Sequence, residues 1–212
     1  IMAIYESFEN ADQPNSLQQG PVRDFFNEEK LIPIFKALHA FTSKDKDRPV
    51  LAQVELEFHE REIYATATDG HSLLTVCLEA EHLLREHPVR FTVTAESVKA
   101  FVDTRAFAPL DSPSKAEAFP PVRQVFPSAY TRRLAAAGIG QPVGLCPFLF
   151  KRAATALMHL GLTGGRANVV EAEIEFGDPL SPVTISVDDF LGSKFEGVVR
   201  GAVIVLMPKR LV

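Results

Sequence analysis

The chain is 212 residues long and 46% hydrophobic, with 22 Lys and Arg against 27 Asp and Glu for a formal net charge of −5. That much apolar material supports one large or two small domains with a true core. The acidic balance excludes a protein coated all round in basic charge, though not a local basic surface.

Residues 1–20 are rich in Asn, Gln, Glu, Ser and Asp and read as a flexible tail, with no charged-then-apolar signal pattern. Pro21 to Phe26 suits a short strand, and Asn27 can cap a helix with Glu28 and Glu29 in its first turn. Leu31, Ile34, Phe35, Leu38 and Phe41 then recur at helical spacing. Pro33 leaves two readings open: the regular helix begins there, or it bends there. Thr42 to Arg48 is a charged loop with no apolar residue.

Val50 to Phe58 alternates through Val54, Leu56 and Phe58 as a strand. Ile63 to Ala67 and Ser72 to Leu78 make the next two, giving one helix followed by an antiparallel meander. Between them lies Thr68-Asp69-Gly70-His71-Ser72, a tight Asp-Gly turn with a polar pair at its exit. The pattern restarts at Val89, Phe91 and Val93, after which Thr94 caps a short helix with Val98, Phe101 and Val102 on one face. Arg105 to Ala118 has little periodicity, and the prolines of Phe119 to Pro127 mark an extended connector.

In a third cycle, a strand at 142–145 precedes Pro147 at a helix start. Leu149, Phe150, Ala153, Leu157 and Leu160 form its expected buried stripe, with Lys151, Arg152, Thr155 and His159 opposite. Strands follow at Val169–Phe176 and Val183–Val187, and Ala202 to Leu206 is a near-continuous apolar strand that Pro208 should end. Three passes of strand, helix and antiparallel strands amount to a repeat of structure without a repeat of letters. If the last strand lies beside the Asp-Gly turn, Leu73, Val205, Met207 and Pro208 line an apolar groove, with His71 and Arg210 near its edge.

The chemistry-bearing residues suggest no enzyme. Asp69, His71 and Ser72 invite a triad reading, but triad members converge from separate parts of a fold and a turn would splay these three apart. No catalytic residue is therefore assigned, and a small hydrolase using His71 is kept as a remote alternative. Gly161 to Gly165 lacks the Lys and the spacing of a phosphate loop. His82, Glu86 and His87 read as surface residues, so no metal or cofactor is expected. Cys77 and Cys146 are too few for a disulfide framework and read as small core residues in a reducing compartment. No run approaches the ~20 apolar residues of a membrane span, and a cytoplasmic location is expected.

Several of these pieces together resemble a known family. They are Arg48 with Leu51, Ala67-Thr68-Asp69-Gly70-His71-x-Leu73, Val76-Cys77, Phe119-Pro120-x-x-Arg123-x-Val125-x-Pro127, Ser181-Pro182 and Val205-x-Met207-Pro208-x-Arg210-Leu211. In that order, across about residues 28–211, the chain resembles the bacterial sliding clamp, the β subunit of DNA polymerase III. The resemblance implies an α+β fold of DNA-clamp-like repeats, each a helix packed on antiparallel sheet. Residues 21–130 would correspond to the family's middle domain with a shortened second half, and residues 131–212 to the final half of its last domain.

The function implied is non-catalytic: encircling double-stranded DNA as a homo-oligomer and docking short apolar motifs of DNA polymerases and repair proteins. The partner-peptide groove would comprise Leu51, Thr68, Gly70, His71, Ser72, Leu73, Pro120, Val125, Val205, Met207, Pro208, Lys209 and Arg210. Ser72 stands where the family commonly has Arg, and Lys209 where a second Met is common. The DNA-facing set would be Lys30, Lys36, Lys44, Lys46, Arg48, Lys99, Lys151 and Arg152, giving weak, salt-dependent attraction to phosphates. The chain is too short for the family's three domains, so an interaction protein that keeps the groove and forms no ring is the alternative within the same fold.

Overall fold

The computed structural model describes residues 28–59, 61–79, 89–107, 119–122, 146–161, 173–175, 182–187, 190, 195 and 197–207. The expected tail, the strand at 21–26, the Asn27 cap, the strand at 142–145 and the 130–131 domain boundary lie outside them.

The helical spacing after Asn27 yields α1, Glu28–His39. Pro33 lies inside it, so the reading in which the helix begins at the proline does not hold. Leu31, Ile34, Phe35, Leu38 and Phe41 are all fully buried, as their spacing requires. The expected strand from Val50 starts late. Pro49–Leu51 is a single 3₁₀ turn, closed by N–H bonds from Leu51 to Arg48 (3.0 Å) and from Ala52 to Pro49 (3.0 Å), and β1 begins only at Gln53. That turn removes Leu51 from the ladder.

β1 (Gln53–Phe58), β2 (Glu62–Thr68) and β3 (Ser72–Glu79) form the antiparallel meander, and β4 (Val89–Thr94) pairs with β1 on its other side. Thr94 ends β4 and caps α2 (Ala95–Thr104), accepting the Ser97 N–H at 3.1 Å. The third cycle gives α3 (Pro147–His159), β5 (Glu173–Glu175), β6 (Val183–Val187) and β7 (Val199–Leu206). Among the described residues these strands make one seven-stranded sheet in the order β4-β1-β2-β3-β7-β6-β5, in which β3 and β7 join strands far apart in the sequence.

Strand periodicity divides the sheet into two faces. Val54, Leu56, Ile63, Ala65, Ala67, Leu74, Val76, Ala202, Ile204 and Ile185 join the main core with the helices. There α2 lies over β1 and β4, α1 over β2 and β3, and α3 over β7. Phe35 of α1 meets Phe101 of α2 edge-on, with ring centroids 5.5 Å apart. The opposite face carries Thr66 and Thr75, whose hydroxyls share a hydrogen bond (3.1 Å), and Glu57, buried beside Arg90 (3.0 Å) on the neighbouring strand. The fold is α+β, as expected.

Two expectations change. Phe150, placed on the buried stripe of α3, is 47% exposed, while Ala153, Ala156 and Leu160 face inward. Small side chains let α3 approach the sheet and α1 closely, so the helix is rotated toward its alanines and the large ring is left on the flank. The same rotation brings Arg152 from the solvent face into a half-buried position. The two cysteines are free thiols but only partly buried, not core residues. Burial first, then the nearby Glu62 carboxylate, pushes the Cys77 thiol up to about 11, which leaves it inert as a nucleophile at neutral pH. No helix among the described residues is long and apolar enough to cross a membrane.

Removing the Thr94 cap with Thr94→Ala should cost about 1 kcal/mol. Urea unfolding checks this: the midpoint should fall while the slope stays unchanged, because the cap carries little of the surface exposed on unfolding.

Candidate functional site

The Asp69-Gly70 turn between β2 and β3 is held by a dense set of local bonds. Asp69 Oδ1 accepts the N–H groups of His71 (2.9 Å) and Ser72 (2.8 Å) and the Ser72 hydroxyl (3.0 Å). Thr68 Oγ1 accepts the Gly70 N–H at 3.1 Å and donates to the Ser72 carbonyl at 2.9 Å. Gly70 has φ of +86°, a conformation that side chains with a Cβ rarely adopt. The Arg48 guanidinium and the Leu51 methyl press on its open side, 3.5 and 3.6 Å from where a Cβ would sit.

From α3, far along the chain, Arg152 reaches this turn. Its Nη1 donates to Asp69 Oδ2 and, at 2.9 Å, to the Ser72 hydroxyl, while the guanidinium lies 5.8 Å from the centre of the Phe41 ring. Burial alone would raise the Asp69 carboxyl. The bond from Arg152, the two backbone N–H bonds and the charge of Arg152 outweigh it and hold the group below the ordinary carboxylate range. A triad would need an imidazole between Ser72 and Asp69. Instead the hydroxyl bonds the carboxylate directly and His71 is exposed.

The turn separates two concavities. β3 pairs with β7 so that Leu73 lies opposite Val205 on the face away from the helices, and Ser72 lies opposite Leu206 on the helix face. The Met207 N–H continues the ladder past the strand, donating to the His71 carbonyl at 2.9 Å. Leu73 and Val205 form an apolar cluster with Val122, supported by Phe119 and Val203. Above it is a groove of about 300 Å³ lined by Leu51, Thr68, Gly70, Ser72, Leu73, Pro120, Pro121, Val122, Val205 and Met207. Leu73 (3% exposed) and Val205 (1%) are its floor, whereas Met207 (37%) stands open to water at its rim.

Of the sequence-expected groove residues, Leu51, Thr68, Gly70, Ser72, Leu73, Pro120, Val205 and Met207 thus come together. Val125, Pro208, Lys209 and Arg210 lie outside the described residues. His71 lends the groove only its carbonyl and otherwise lines the second concavity. Pro121 and Val122 were missed, because a proline-broken segment has no periodicity to show which side faces inward. Ser72 is buried and bonded to Asp69 and Arg152, so an Arg supplied by α3 occupies the polar side of this position.

On the helix side is a cleft of about 600 Å³ between the α1–β1 loop and the start of α3. It is lined by Lys44, Arg48, Lys151, Arg152, His39 and His71 among others, with Asp45 and Asp69 as its carboxylates. Four residues of the expected DNA-facing set therefore converge in one place. Lys30, Lys36 and Lys99 lie on α1 and α2, and Lys36, Lys46 and Lys99 are exposed. Burial, then the charges of Lys44 and Lys99, hold the His39 imidazole below its ordinary value despite Asp103. Among the described residues no three His, Cys, Asp or Glu are grouped to hold a metal; His82, Glu86 and His87 lie outside them.

No family model and no curated protein sequence matches the chain. Solved structures do. The DNA polymerase III β subunit of Thermotoga maritima is 16% identical with a TM-score of 0.55, over 88% of this chain and 65% of that one. The β chain of Streptococcus pneumoniae is 14% identical (TM-score 0.58; 88% and 64%). A Helicobacter pylori β clamp in complex with diflunisal is 11% identical (TM-score 0.59; 85% and 64%). This chain has the fold of the sliding clamps, and it spans less than two thirds of the length of each of these three.

The Asp69–Arg152 pair generates a pH prediction. A carboxyl held below its unfolded value of about 3.9 stabilises the fold above that pH, and the contribution is lost as pH falls through the lower folded value. Arg152→Met should destabilise by about 1–3 kcal/mol at neutral pH, by leaving a half-buried carboxylate unpaired. The gap between wild type and variant should narrow below about pH 4. Chemical unfolding at pH 7, 5 and 3 measures it.

Proposed function

Taking the sliding-clamp fold as premise, we propose that this chain is a non-catalytic docking platform of DNA replication or repair. Its groove at the β3–β7 junction binds short apolar-anchored segments of DNA polymerases or other clamp-binding proteins. The observation that carries the reading is the open groove itself. Two strands distant in sequence place Leu73 and Val205 under a concavity whose rim residue, Met207, is solvent-exposed. Leu73 and Val205 are themselves buried in the cluster with Val122, so a partner would meet the groove walls and the exposed Met207. A Met at the rim suits varied partners, because its unbranched thioether adapts to different shapes.

Magnitudes fit an exchangeable platform. Burying two apolar anchors contributes about 1.5–3 kcal/mol each, and ordering the peptide offsets part of it. The net is weak to moderate binding, so partners replace one another. Lys30, Lys36, Lys46 and Lys99 supply diffuse, salt-sensitive attraction for double-stranded DNA, which a homo-oligomeric ring would hold by topology. The companion reading, a groove-bearing interaction protein without a ring, differs from it only in assembly.

Two measurements test these statements. A fluorescent peptide ending in a Leu-Phe anchor pair should bind with micromolar affinity, and Met207→Asp should weaken it at least tenfold; unchanged affinity would reject the groove. For the ring, solution mass should show an oligomer, and protein loaded on circular duplex DNA should stay there and be lost on linearisation. A monomer with no retention on circles would leave the groove function standing without encirclement.

A further inference from the structure

The two concavities meet at the Asp69-Gly70 turn. Leu51 and Gly70 line the groove, Asp69 and His71 line the cleft, and the Arg48 guanidinium rests over Gly70 at the crossing. A segment anchored in the groove that continues past Gly70 therefore enters the cleft.

The cleft is built for negative charge. Lys44, Arg48, Lys151 and Arg152 contribute four positive charges against the two carboxylates of Asp45 and Asp69. Those carboxylates are already engaged: Asp45 with Arg48 at 3.6 Å, Asp69 with Arg152 and two backbone N–H groups. Lys44 and Lys151 are left pointing charge at an open space, and both are exposed. Ser43 adds a hydroxyl to the same wall, whereas those of Thr42 and Thr155 are donated to the His39 and Lys151 carbonyls.

We infer that the cleft receives an acidic stretch flanking the apolar anchor of the partner peptide, so that partners are selected by two adjoining features, an apolar pair and neighbouring carboxylates. The inference rests on the docking reading above. Continuity with the groove favours a peptide over nucleic acid, because a phosphate strand has no use for an apolar wall ending in Met207. An acidic flank also speeds encounter with a basic cleft, and this contribution fades as salt shortens the reach of charge.

The test compares two ten-residue peptides with the same Leu-Phe anchor, one flanked by Asp-Glu-Asp and the other by Asn-Gln-Asn. At 50 mM salt the acidic peptide should bind roughly fivefold tighter, the yield of two partly exposed ion pairs. In the double variant Lys44→Ala/Lys151→Ala, and in wild type at 0.5 M salt, the ratio of the two affinities should fall to about one. A ratio near one in wild type at low salt, with both peptides bound, overturns the inference and leaves the groove intact. Failure of both peptides to bind rejects the groove reading itself. If a twelve-nucleotide single strand with no apolar anchor abolishes the acidic peptide's advantage at equal concentration, the cleft is a nucleic-acid site and the inference fails.

Discussion

Everything at the candidate site depends on β7 pairing with β3. The register sets Leu73 against Val205 and Leu74 against Ile204, so one pair faces the groove and the next faces the helices. A slip of one residue would exchange the two faces and bury polar Thr75 where Leu74 now packs. The register is therefore enforced by the main core, through Leu74, Val76, Ala202 and Ile204, and the groove inherits its geometry from it. The same ladder makes two segments of the chain into one sheet, which is why the groove has no floor in either segment alone.

The second constraint is Arg152. It joins α3 to the β2–β3 turn through Asp69 and Ser72, on the helix side of the sheet that β7 joins on the strand side. The turn is thus held from both directions, and its Gly70 corner can present backbone to a partner without ordering cost at the moment of binding. A turn that carried only the Asp69 bonds to His71 and Ser72 would keep its local shape but not its placement against α3. The groove and the basic cleft share this fixed corner, so any change that loosens it acts on both.

Much of the architecture could be read from the residues. The Leu31 to Phe41 stripe, the alternation of Val54, Leu56 and Phe58, the Thr94 cap and Pro147 at a helix start are local patterns, and local patterns survive folding when burial agrees with them. The Asp-Gly turn was legible for the same reason. What escaped depends on distance or on small side chains. Phe150 outranks Ala153 and Ala156 in hydrophobicity, yet close helix approach selects the alanines. Leu51 belongs to the expected groove, but the sequence pattern misplaces it in the strand, because the Pro49 turn takes it out of the ladder. Arg152 reads as a solvated cation because nothing near it in sequence names Asp69 as its partner. Pro121 and Val122 sit in a segment whose prolines erase periodicity.

The central claim is that the concavity walled by Leu51, Leu73, Val122, Val205 and Met207 receives a partner's apolar anchor. Methyl-resolved NMR of the protein, titrated with a Leu-Phe-anchored peptide, observes those side chains directly. The account predicts shifts concentrated on Leu51, Leu73, Val122, Val205 and Met207, with the methyls of Leu38, Leu56 and Ile204 on the helix side unmoved. Saturating peptide that leaves the first group unchanged, or that shifts only residues elsewhere, would contradict it.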